Sequence, residues 1–188
     1  RVSRIQIIWG ANNFDLPNSE YFIVWDKSMT GKHDFAECEM AWVGGDIKKP
    51  AKIIQIKAQS TGEKKIHPTQ KPVKLYKWLL SNYAKEGYRI LDTHLGSGSS
   101  AIAAYSGGFD FVGCELDADY YNAAIDRFNA ETGQQELFCT PEVREWRSRM
   151  NWKPLYDKYG VKQNAIESGS WNICKTYNPE PLYTLWLR

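Results

Sequence analysis

The residues best placed to do chemistry lie in one short stretch, residues 90–101, which reads ILDTHLGSGSSA. Gly96 and Gly98 let the backbone turn tightly and let a ligand approach it closely. Asp92 closes the strand predicted before this loop. Glu115 closes the next predicted strand, where a carboxylate can accept hydrogen bonds from the two hydroxyls of a ribose. The pattern predicts a nucleoside-type ligand, and the alternative is a glycine turn that binds nothing.

Asp92 favours one kind of nucleoside ligand over another. In a dinucleotide site the pyrophosphate lies at the N-terminus of the helix that follows the loop. A carboxylate at the tip of the strand repels phosphate but suits a ligand that carries an ammonium group. S-adenosylmethionine has an amine and a sulfonium and no phosphate. The residues therefore favour S-adenosylmethionine over NAD, although an NAD-dependent oxidoreductase would share the glycine loop.

The elements that must position this loop alternate along the chain. A helix is predicted from Pro72, because a proline suits the first helical turn and apolar residues then recur at helical spacing up to Tyr83. Glycines then separate a strand, a helix, a strand and a further helix, at 88–92, 99–105, 109–114 and 118–130. This order is typical of a βαβ unit with a parallel sheet.

The two ends of the chain are patterned differently. Strands are predicted at 4–9 and 21–25, with weaker signals at 41–43 and 53–56. Beyond residue 138 the periodicity is lost, and residues 139–188 are interpreted as a C-terminal extension with one helix predicted at 141–150. The chain of 188 residues thus fits one domain with an appendage.

The composition excludes several classes of protein. A chain that is 43% hydrophobic and 24% charged can bury a core. The net charge of +2 is too small to indicate nucleic-acid binding by itself. The four cysteines form no CxxC pair, so we expect reduced cysteines and no metal site. No run is apolar enough to cross a membrane and no secretory signal is present, so we expect a soluble, cytoplasmic protein.

Two motifs in order carry a resemblance to a known family. Residues 67–72 read HPTQKP, and residues 92–99 read DTHLGSGS. In this order they resemble the N6-adenine/N4-cytosine DNA methyltransferases of the permuted beta arrangement, in a small bacterial or phage form. Residues 113–121 resemble the acidic motif of that family, and residues 7–14 and 23–27 resemble segments that follow its catalytic motif. The resemblance covers residues 1–138, which we interpret as the methyltransferase domain.

The resemblance implies a fold and a set of roles. The fold is α/β, Rossmann-like, with a seven-stranded, mostly parallel sheet and helices on both faces. Asp92 and the backbone of the glycine loop would hold the methionine part of S-adenosylmethionine, and Glu115 the ribose. Lys71 and Thr69 would lie on the side of the cofactor carboxylate, because an ammonium can pair with it. The expected cofactor-binding set is Thr69, Lys71, Asp92, Thr93, Gly96, Ser97, Gly98, Glu115 and Asp117.

The catalytic motif of the family, (D/N/S)-P-P-(Y/F/W), occurs nowhere in these residues. Its carbonyls accept hydrogen bonds from the amino group of a flipped base, and its aromatic ring stacks on that base. In the family it precedes the segment that resembles residues 7–14, so we expect it upstream of Arg1. No residue is therefore assigned as catalytic, and His94 is interpreted as a loop residue rather than a base.

The expected DNA surface is a short target-recognition region at residues 44–66. Clustered lysines there can neutralise phosphates and give salt-dependent binding. The alternative is a solvated loop. The lysines in question are Lys48, Lys49, Lys52, Lys57, Lys64 and Lys65.

The sequence thus predicts a site-specific methyltransferase that modifies double-stranded DNA at an exocyclic amino nitrogen, in the manner of restriction–modification enzymes. N6 of adenine is favoured over N4 of cytosine. Two other interpretations are an inactive remnant that binds cofactor or DNA without turnover, and the less favoured NAD-dependent oxidoreductase. A homodimer is an open expectation.

Overall fold

The fold is known from a computed structural model, which describes residues 3–29, 34–58 and 64–133, and the backbone of residues 183–187. The strands are β1 (Ser3–Trp9), β2 (Phe22–Asp26), β3 (Cys38–Gly45), β4 (Lys52–Gln55), β5 (Arg89–Asp92), β6 (Asp110–Gly113) and β7 (Tyr183–Leu187). The helices are α1 (Val73–Tyr83), α2 (Ser99–Gly107) and α3 (Ala118–Gly133), and a single 3₁₀ turn covers Ala11–Asn13.

The strands form one seven-stranded sheet in the order β4-β2-β3-β1-β7-β5-β6. Four of the six neighbouring pairs are parallel, and β3 alone runs against both of its neighbours. The predicted α/β class with a mostly parallel sheet is therefore confirmed. Because β3 is antiparallel, its first residues lie at the same edge as the carboxyl ends of β1, β2 and β5.

The three helices form one contiguous layer in which α1 packs on α2 and α2 on α3. The middle helix, α2, is buried at every residue from Ser99 to Tyr105. On α1 the buried residues recur at helical spacing, at Leu75, Leu79, Leu80 and Tyr83. Helices on the second face of the sheet stay a prediction.

The core lies between this helical layer and one face of the sheet. Alternate residues of the inner strands point into it, as β geometry requires, and Ile7, Ile23 and Ile90 are fully buried. Isoleucines recur in β1, β2, β4 and β5, and such β-branched side chains favour extended backbone and fill a pleated surface well. Packing of the helical layer on the sheet holds in place the sheet edge at which the carboxyl ends of β1 and β5 lie.

Each strand and helix predicted within the described residues is confirmed, with shifts of a few residues at the ends and a longer β3. The sequence did not predict β7, which lies between β1 and β5 and is parallel to both. Residues 183–187 thus belong to the same sheet as the rest of the domain. The boundary at residue 138 stays a prediction, and the helix predicted at 141–150 lies outside the described residues.

No described helix combines the length and the hydropathy that a membrane span requires.

Candidate functional site

Asp92 lies at the carboxyl end of β5 and is only 2% exposed. Its Oδ1 accepts a hydrogen bond from the backbone N–H of His94 at 2.9 Å, and its Oδ2 accepts one from the Ser100 hydroxyl at 2.5 Å. Both partners donate, which is the arrangement that an ionised carboxylate requires. The chain therefore holds a buried anionic group next to the glycine loop.

The environment of Asp92 is poor in neutralising charge. Burial raises the pKa of Asp92 to about 6, and the nearby carboxylate of Glu115 adds to this rise. The hydrogen bonds from Ser100 and from the His94 N–H oppose the rise in pKa, as does the more distant ammonium of Lys71. A cation placed beside Asp92 would favour its charged form further.

Two glycines of the loop between β5 and α2 adopt left-handed conformations, and both are buried. Gly96 has φ +54°, and a Cβ atom there would lie 3.3 Å from Nδ1 of His67. Gly98 has φ +74°, and a Cβ atom there would lie 3.3 Å from the Cβ and the carbonyl oxygen of Ala124. Both positions thus need glycine for conformation and for space. The predicted tight turn is confirmed, and the close approach of a ligand to this backbone stays a prediction.

Glu115 follows β6 and is tied to the glycine loop by its own carboxylate. Its Oε2 accepts a hydrogen bond from the backbone N–H of Gly96 at 2.7 Å. Its Oε1 accepts from the N–H groups of Leu116 and Asp117 at 2.9 Å and 3.1 Å. A carboxylate offers about four acceptor positions, so these three bonds leave about one for an incoming hydroxyl. A ribose that used both hydroxyls on Glu115 would have to displace a backbone donor.

A buried arginine, which the sequence did not single out, holds the loop from the other side. Arg127 on α3 donates through Nη1 to the carbonyl oxygen of Ser97 and to Oγ of Ser99, both at 2.9 Å. Its Nε pairs with Glu131 at 2.9 Å. The hydroxyls of Ser97 and Ser99 also lie 3.1 Å apart. The side chain of Ser97 is therefore turned towards α3 and is only 4% exposed.

Residues 67–72 form a closed turn that packs on the glycine loop. The imidazole Nδ1 of His67 accepts from the N–H of Thr69 at 3.3 Å and lies 3.1 Å from its Oγ1. The Oε1 of Gln70 accepts from the N–H of Ile66 at 2.9 Å. The ring of His67 also meets the ring of Tyr120 edge to face, with centroids 4.4 Å apart. This turn places Lys71, the residue after Gln70, at the sheet edge.

Lys71 lies in an ionic cluster that the sequence did not predict. Its Nζ is 3.1 Å from Oε2 of Glu39, and Nζ of Lys27 is 2.9 Å from Oε1 of the same carboxylate. The Lys71 ammonium also lies 5.8 Å from the ring centroid of Trp9 and that of Lys27 5.5 Å from the ring of Trp25. Both lysine side chains are 14% exposed. Cation–π attraction and the shared carboxylate together hold the two ammonium groups in place.

Electrostatics distinguishes Glu39 from Asp92. Burial alone raises the pKa of Glu39, but the charges and hydrogen bonds of Lys71 and Lys27 outweigh it, so the pKa is lowered. Tyr76 on α1 lies near both carboxylates, and burial followed by the charges of Asp92 and Glu39 raises its pKa well above 10. The phenol therefore keeps its proton at neutral pH. The sequence placed Tyr76 only in an apolar stripe.

Three further residues occupy the same edge. Asp117 accepts through Oδ1 from the N–H groups of Asp119 and Tyr120, at 2.9 Å and 3.0 Å, and so caps the N-terminus of α3. The hydroxyl of Thr93 lies 3.0 Å from Nδ1 of His94. Leu116 is 65% exposed directly after Glu115. Cofactor contacts by Asp117 and Thr93 stay predictions, while Leu116 adds an exposed apolar surface that the sequence did not predict.

The predicted DNA-binding lysines do not share one surface. The loop between β3 and β4 lies at the opposite edge of the sheet from Asp92, because β3 ends there, and it carries Lys48 and Lys49. Lys49 is engaged with the C-terminal end of α1, where its ammonium donates to the carbonyl oxygen of Asn82 and lies 5.3 Å from the ring centroid of Tyr83. Lys52 begins β4 at that same far edge.

Lys57 follows β4 and is exposed at the near edge, since β4 is parallel to β2. Lys64 and Lys65 are exposed just before the turn at 67–72. The structure thus brings together the residues predicted to bind the cofactor and separates the predicted DNA-binding lysines into distant groups. Within the described ranges, no three His, Cys, Asp or Glu side chains are arranged to hold a metal ion.

The residues at this edge of the sheet match the sequence pattern of a known family. The family model N6_N4_Mtase, described as DNA methylase, matches residues 6–126, which is about two thirds of the chain. The chain belongs to this DNA methylase family. The match runs from β1 through the glycine loop into α3 and so contains every predicted cofactor-binding residue. The family resemblance inferred from the two motifs is confirmed, and the permuted arrangement stays a prediction.

The chain aligns with only part of each of its individual relatives. The type II methyltransferase M2.DpnII of Streptococcus pneumoniae is 38% identical over 125 residues, which is 66% of this chain and 42% of M2.DpnII. The protein YubD of Escherichia coli K12 is 27% identical over 135 residues, which is 69% of this chain and 58% of YubD. The chain thus spans about half the length of these relatives.

Among solved structures, the M1.HpyAVI–SAM complex is 24% identical and has a TM-score of 0.45, covering 56% of this chain and 60% of that one. At that similarity neither its fold nor its ligand is transferred to this chain.

Proposed function

We propose that this chain is the cofactor-binding part of a methyltransferase that transfers a methyl group from S-adenosylmethionine to an exocyclic amino nitrogen of a DNA base. N6 of adenine is the favoured position, and N4 of cytosine is the alternative. Membership of the DNA methylase family supports the reaction class. The observation that carries the choice of cofactor is the buried carboxylate of Asp92 at the tip of β5.

The donors around Asp92 fit a ligand with an ammonium group. Its two oxygens are held by the His94 N–H and the Ser100 hydroxyl, while burial leaves its charge poorly compensated. An ammonium beside it would complete the hydrogen bonding of the carboxylate and balance its charge. A pyrophosphate at the same place would bring two like charges together. This contrast is the physical reason to prefer S-adenosylmethionine to NAD.

The neighbouring groups extend the fit along the cofactor. When bound, S-adenosylmethionine supplies an electrophilic methyl group on a positively charged sulfur. Glu115 accepts a ribose hydroxyl on the acceptor position that its backbone bonds leave free. The exposed side chain of Leu116 offers an apolar surface to a purine ring. Lys71 presents its ammonium to the cofactor carboxylate while it stays paired with Glu39.

Binding of duplex DNA is the second part of the proposal. Lys57 is the lysine of the predicted set that lies at the near edge beside β2, and Lys48 lies at the far edge. We therefore expect Lys57→Gln to reduce the affinity for a short DNA duplex and to lower the salt dependence of binding by about one phosphate contact. Lys48→Gln is the matched control and should leave both unchanged. Fluorescence anisotropy at several salt concentrations measures both quantities, and equal effects of the two substitutions would refute this placement.

The experiment that tests the cofactor is calorimetric titration of the chain with S-adenosylmethionine, S-adenosylhomocysteine and NAD. Binding of the two adenosyl ligands, lost in Asp92→Ala and weakened in Glu115→Ala, is the expected result. Glu37→Ala is a control, because Glu37 is exposed and is not one of the predicted cofactor-binding residues. Binding of NAD alone would overturn the methyltransferase assignment in favour of an oxidoreductase.

Turnover is tested separately from binding. A protein that contains both these residues and the D-P-P-Y-like motif should transfer labelled methyl groups to duplex DNA. Digestion of the product and separation of N6-methyladenine from N4-methylcytosine then decides between the two bases. Cofactor binding without methyl transfer in such a protein would support the inactive remnant.

A further inference from the structure

Ser100 is the residue of the glycine-loop region whose side chain meets Asp92 directly. It lies in the first turn of α2, is 1% exposed, and donates its hydroxyl to Oδ2 of Asp92 at 2.5 Å. Such a short bond between a hydroxyl and a charged oxygen is of the strong, charge-assisted kind. From the sequence, Ser97 was expected to bind the cofactor and no role was expected of Ser100.

The other two serines of the loop face a different partner. Ser97 and Ser99 lie 3.1 Å apart through their hydroxyl oxygens, and Arg127 donates to Oγ of Ser99 and to the carbonyl oxygen of Ser97. They are buried as deeply as Ser100, at 4% and 2% exposure. The run SGSS therefore divides into two serines that anchor the loop on α3 and one that acts on the carboxylate of β5.

We infer that Ser100 is a positioning residue for cofactor binding, which fixes the Asp92 carboxylate in the orientation and charge state that receives the ammonium group of S-adenosylmethionine. This inference rests on the proposed function. The His94 N–H holds Oδ1, so without Ser100 the second oxygen would lose its short bond and the side chain could rotate about the first. Ser100 itself need not touch the ligand.

The charged and titratable groups around Asp92 come from every neighbouring described element. Lys71 precedes α1 and favours the ionised form of Asp92, and Glu115 after β6 disfavours it. Tyr76 on α1 responds to the charge of Asp92 but stays protonated, because its own pKa is raised. His94, next in the loop, donates to Asp92 through its backbone N–H, and its imidazole Nδ1 lies 3.0 Å from the Thr93 hydroxyl. These groups are the same with and without the Ser100 hydroxyl.

The sign of the effect follows from the bond. Ser100 lowers the pKa of Asp92, which burial has raised to about 6. Removal of the hydroxyl therefore raises that pKa further, and a larger share of Asp92 is protonated at any pH near neutrality. An ammonium ligand, which needs the ionised carboxylate, must then bind more weakly, and the pH at which binding is half lost must move upwards.

The test compares two ligands across pH. S-adenosylhomocysteine carries the amino-acid ammonium, and 5′-methylthioadenosine lacks it. Affinities are measured by calorimetry between pH 5 and pH 7.5. For the wild-type chain we expect S-adenosylhomocysteine affinity to fall as the pH drops through about 6. Ser100→Ala should move this midpoint upwards and weaken binding on the order of fivefold at pH 6.5, while 5′-methylthioadenosine is unaffected.

Two control variants separate loss of the Ser100 hydroxyl from other effects of the substitution, and a third replaces Ser100→Ala if needed. Ser100→Thr keeps a hydroxyl and should restore the wild-type midpoint. Ser99→Ala makes the same chemical change at an equally buried neighbour that bonds to Arg127, and its midpoint should equal that of the wild type. If Ser100→Ala does not fold, Ser100→Cys replaces it, since a thiol is a weak donor and should shift the midpoint in the same direction.

The outcomes separate the two proposals. A wild-type chain that binds neither ligand, or that binds both equally at every pH, overturns the proposed cofactor site and this inference with it. A wild-type chain that prefers S-adenosylhomocysteine, together with a Ser100→Ala midpoint identical to its own, overturns the role of Ser100 alone. Equal weakening of both ligands in Ser100→Ala would likewise reduce Ser100 to a structural residue.

Discussion

Two carboxylates lie at the same edge of the sheet and behave in opposite ways. Asp92 ends β5, is held by a backbone N–H and a hydroxyl, and has a pKa raised to about 6. Glu39 begins β3, is held by the ammonium groups of Lys27 and Lys71, and has a lowered pKa. Asp92 is 2% exposed and the Glu39 side chain is 30% exposed. Burial raises the pKa of both groups, and at Glu39 the two ammonium groups outweigh that effect.

The contrast between Asp92 and Glu39 indicates where this edge of the sheet can accept a charged ligand. The charge of Glu39 is already matched by two cations, so its region offers a surplus of positive charge to an anionic group. The charge of Asp92 has no comparable match, so its region offers negative charge to a cation. A zwitterionic amino-acid moiety, with an ammonium and a carboxylate, fits a surface divided in this way. Four predictions test the division.

The largest effect is expected from Asp92→Asn. The substitution keeps the shape of the side chain and removes its charge, so an ammonium ligand loses a charge-assisted hydrogen bond. We expect the affinity for S-adenosylhomocysteine to fall on the order of 10- to 100-fold, which corresponds to about 1.5–3 kcal/mol. Calorimetry with 5′-methylthioadenosine provides the control and should give an unchanged affinity. An Asp92→Asn chain that binds S-adenosylhomocysteine normally would remove Asp92 from the site.

The stability of the chain should report the raised pKa of Asp92. A folded-state value of about 6 against an ordinary value of 3.8 means that folding favours the protonated acid. The contribution of Asp92 to stability is therefore present at low pH and is lost as the pH rises from about 4 to about 6. Relative to wild type, Asp92→Asn should gain on the order of 2 kcal/mol between pH 4 and pH 7. Urea unfolding at both pH values measures the gain, and a constant difference would show that Asp92 is not strained by burial.

Glu39→Gln should have the opposite pH dependence. It leaves two largely buried ammonium groups without a carboxylate, and we expect a loss of about 1–2 kcal/mol at pH 7, reduced by the partial exposure of the cluster. Because the folded-state pKa of Glu39 lies below 4.5, this difference should shrink as the pH falls through that lowered value. Glu37→Gln, at an exposed side chain of the same segment, serves as the control. Denaturant unfolding across pH 3–7 gives the answer, and a deficit that persists at pH 3 would contradict the ionic explanation.

The smallest effect concerns the backbone that carries the Asp92 region. Gly98→Ala introduces a side chain at φ +74° and places its Cβ atom 3.3 Å from Ala124. Gly87→Ala introduces the same strain at φ +77° with nothing within 4 Å. Each left-handed alanine costs about 1–2 kcal/mol, so the extra loss in Gly98→Ala, about 1 kcal/mol, isolates the close packing of the loop on α3. Thermal unfolding measures both variants, and equal losses would show that α3 yields to the added methyl group.

Much of the Asp92 region could be predicted from the sequence because its parts are close together in the chain. A strand, a glycine turn and a helix follow one another within residues 88–107, and local periodicity and turn chemistry specify each of them. Glu115 was found in the same way, at the end of the next strand. The sequence could not predict that three backbone N–H groups already occupy most of its acceptor positions, because hydrogen-bond counts depend on the folded loop.

The Glu39 region could not be predicted because its parts are far apart in the chain. Lys27, Glu39 and Lys71 come from three segments that meet only when β2, β3 and the turn before α1 are assembled. A glutamate in a strand and lysines in loops carry no local signal of pairing. The same holds for Arg127, whose clamp on the glycine loop depends on how α3 packs on α2.

The lysines of residues 44–66 show a different limit of prediction from the sequence. Their clustering along the chain suggested one basic surface, but β4 runs from the far edge of the sheet to the near one. Lys48 and Lys57 are therefore separated by the length of a strand. Lysines that are close in the sequence are far apart in space, because the extended strand β4 carries the chain from one edge of the sheet to the other.

The sequence by itself thus determined the family, the βαβ unit around Asp92, and the identity of the residues that its loop presents. Local signals suffice for these, since each depends on residues within one or two turns of one another. Only the tertiary structure decided that β7 lies between β1 and β5, that Ser100 rather than its neighbours holds Asp92, and that Glu39 unites two lysines. Those features arise from packing between distant segments, where burial and the arrangement of charges set the properties of each group.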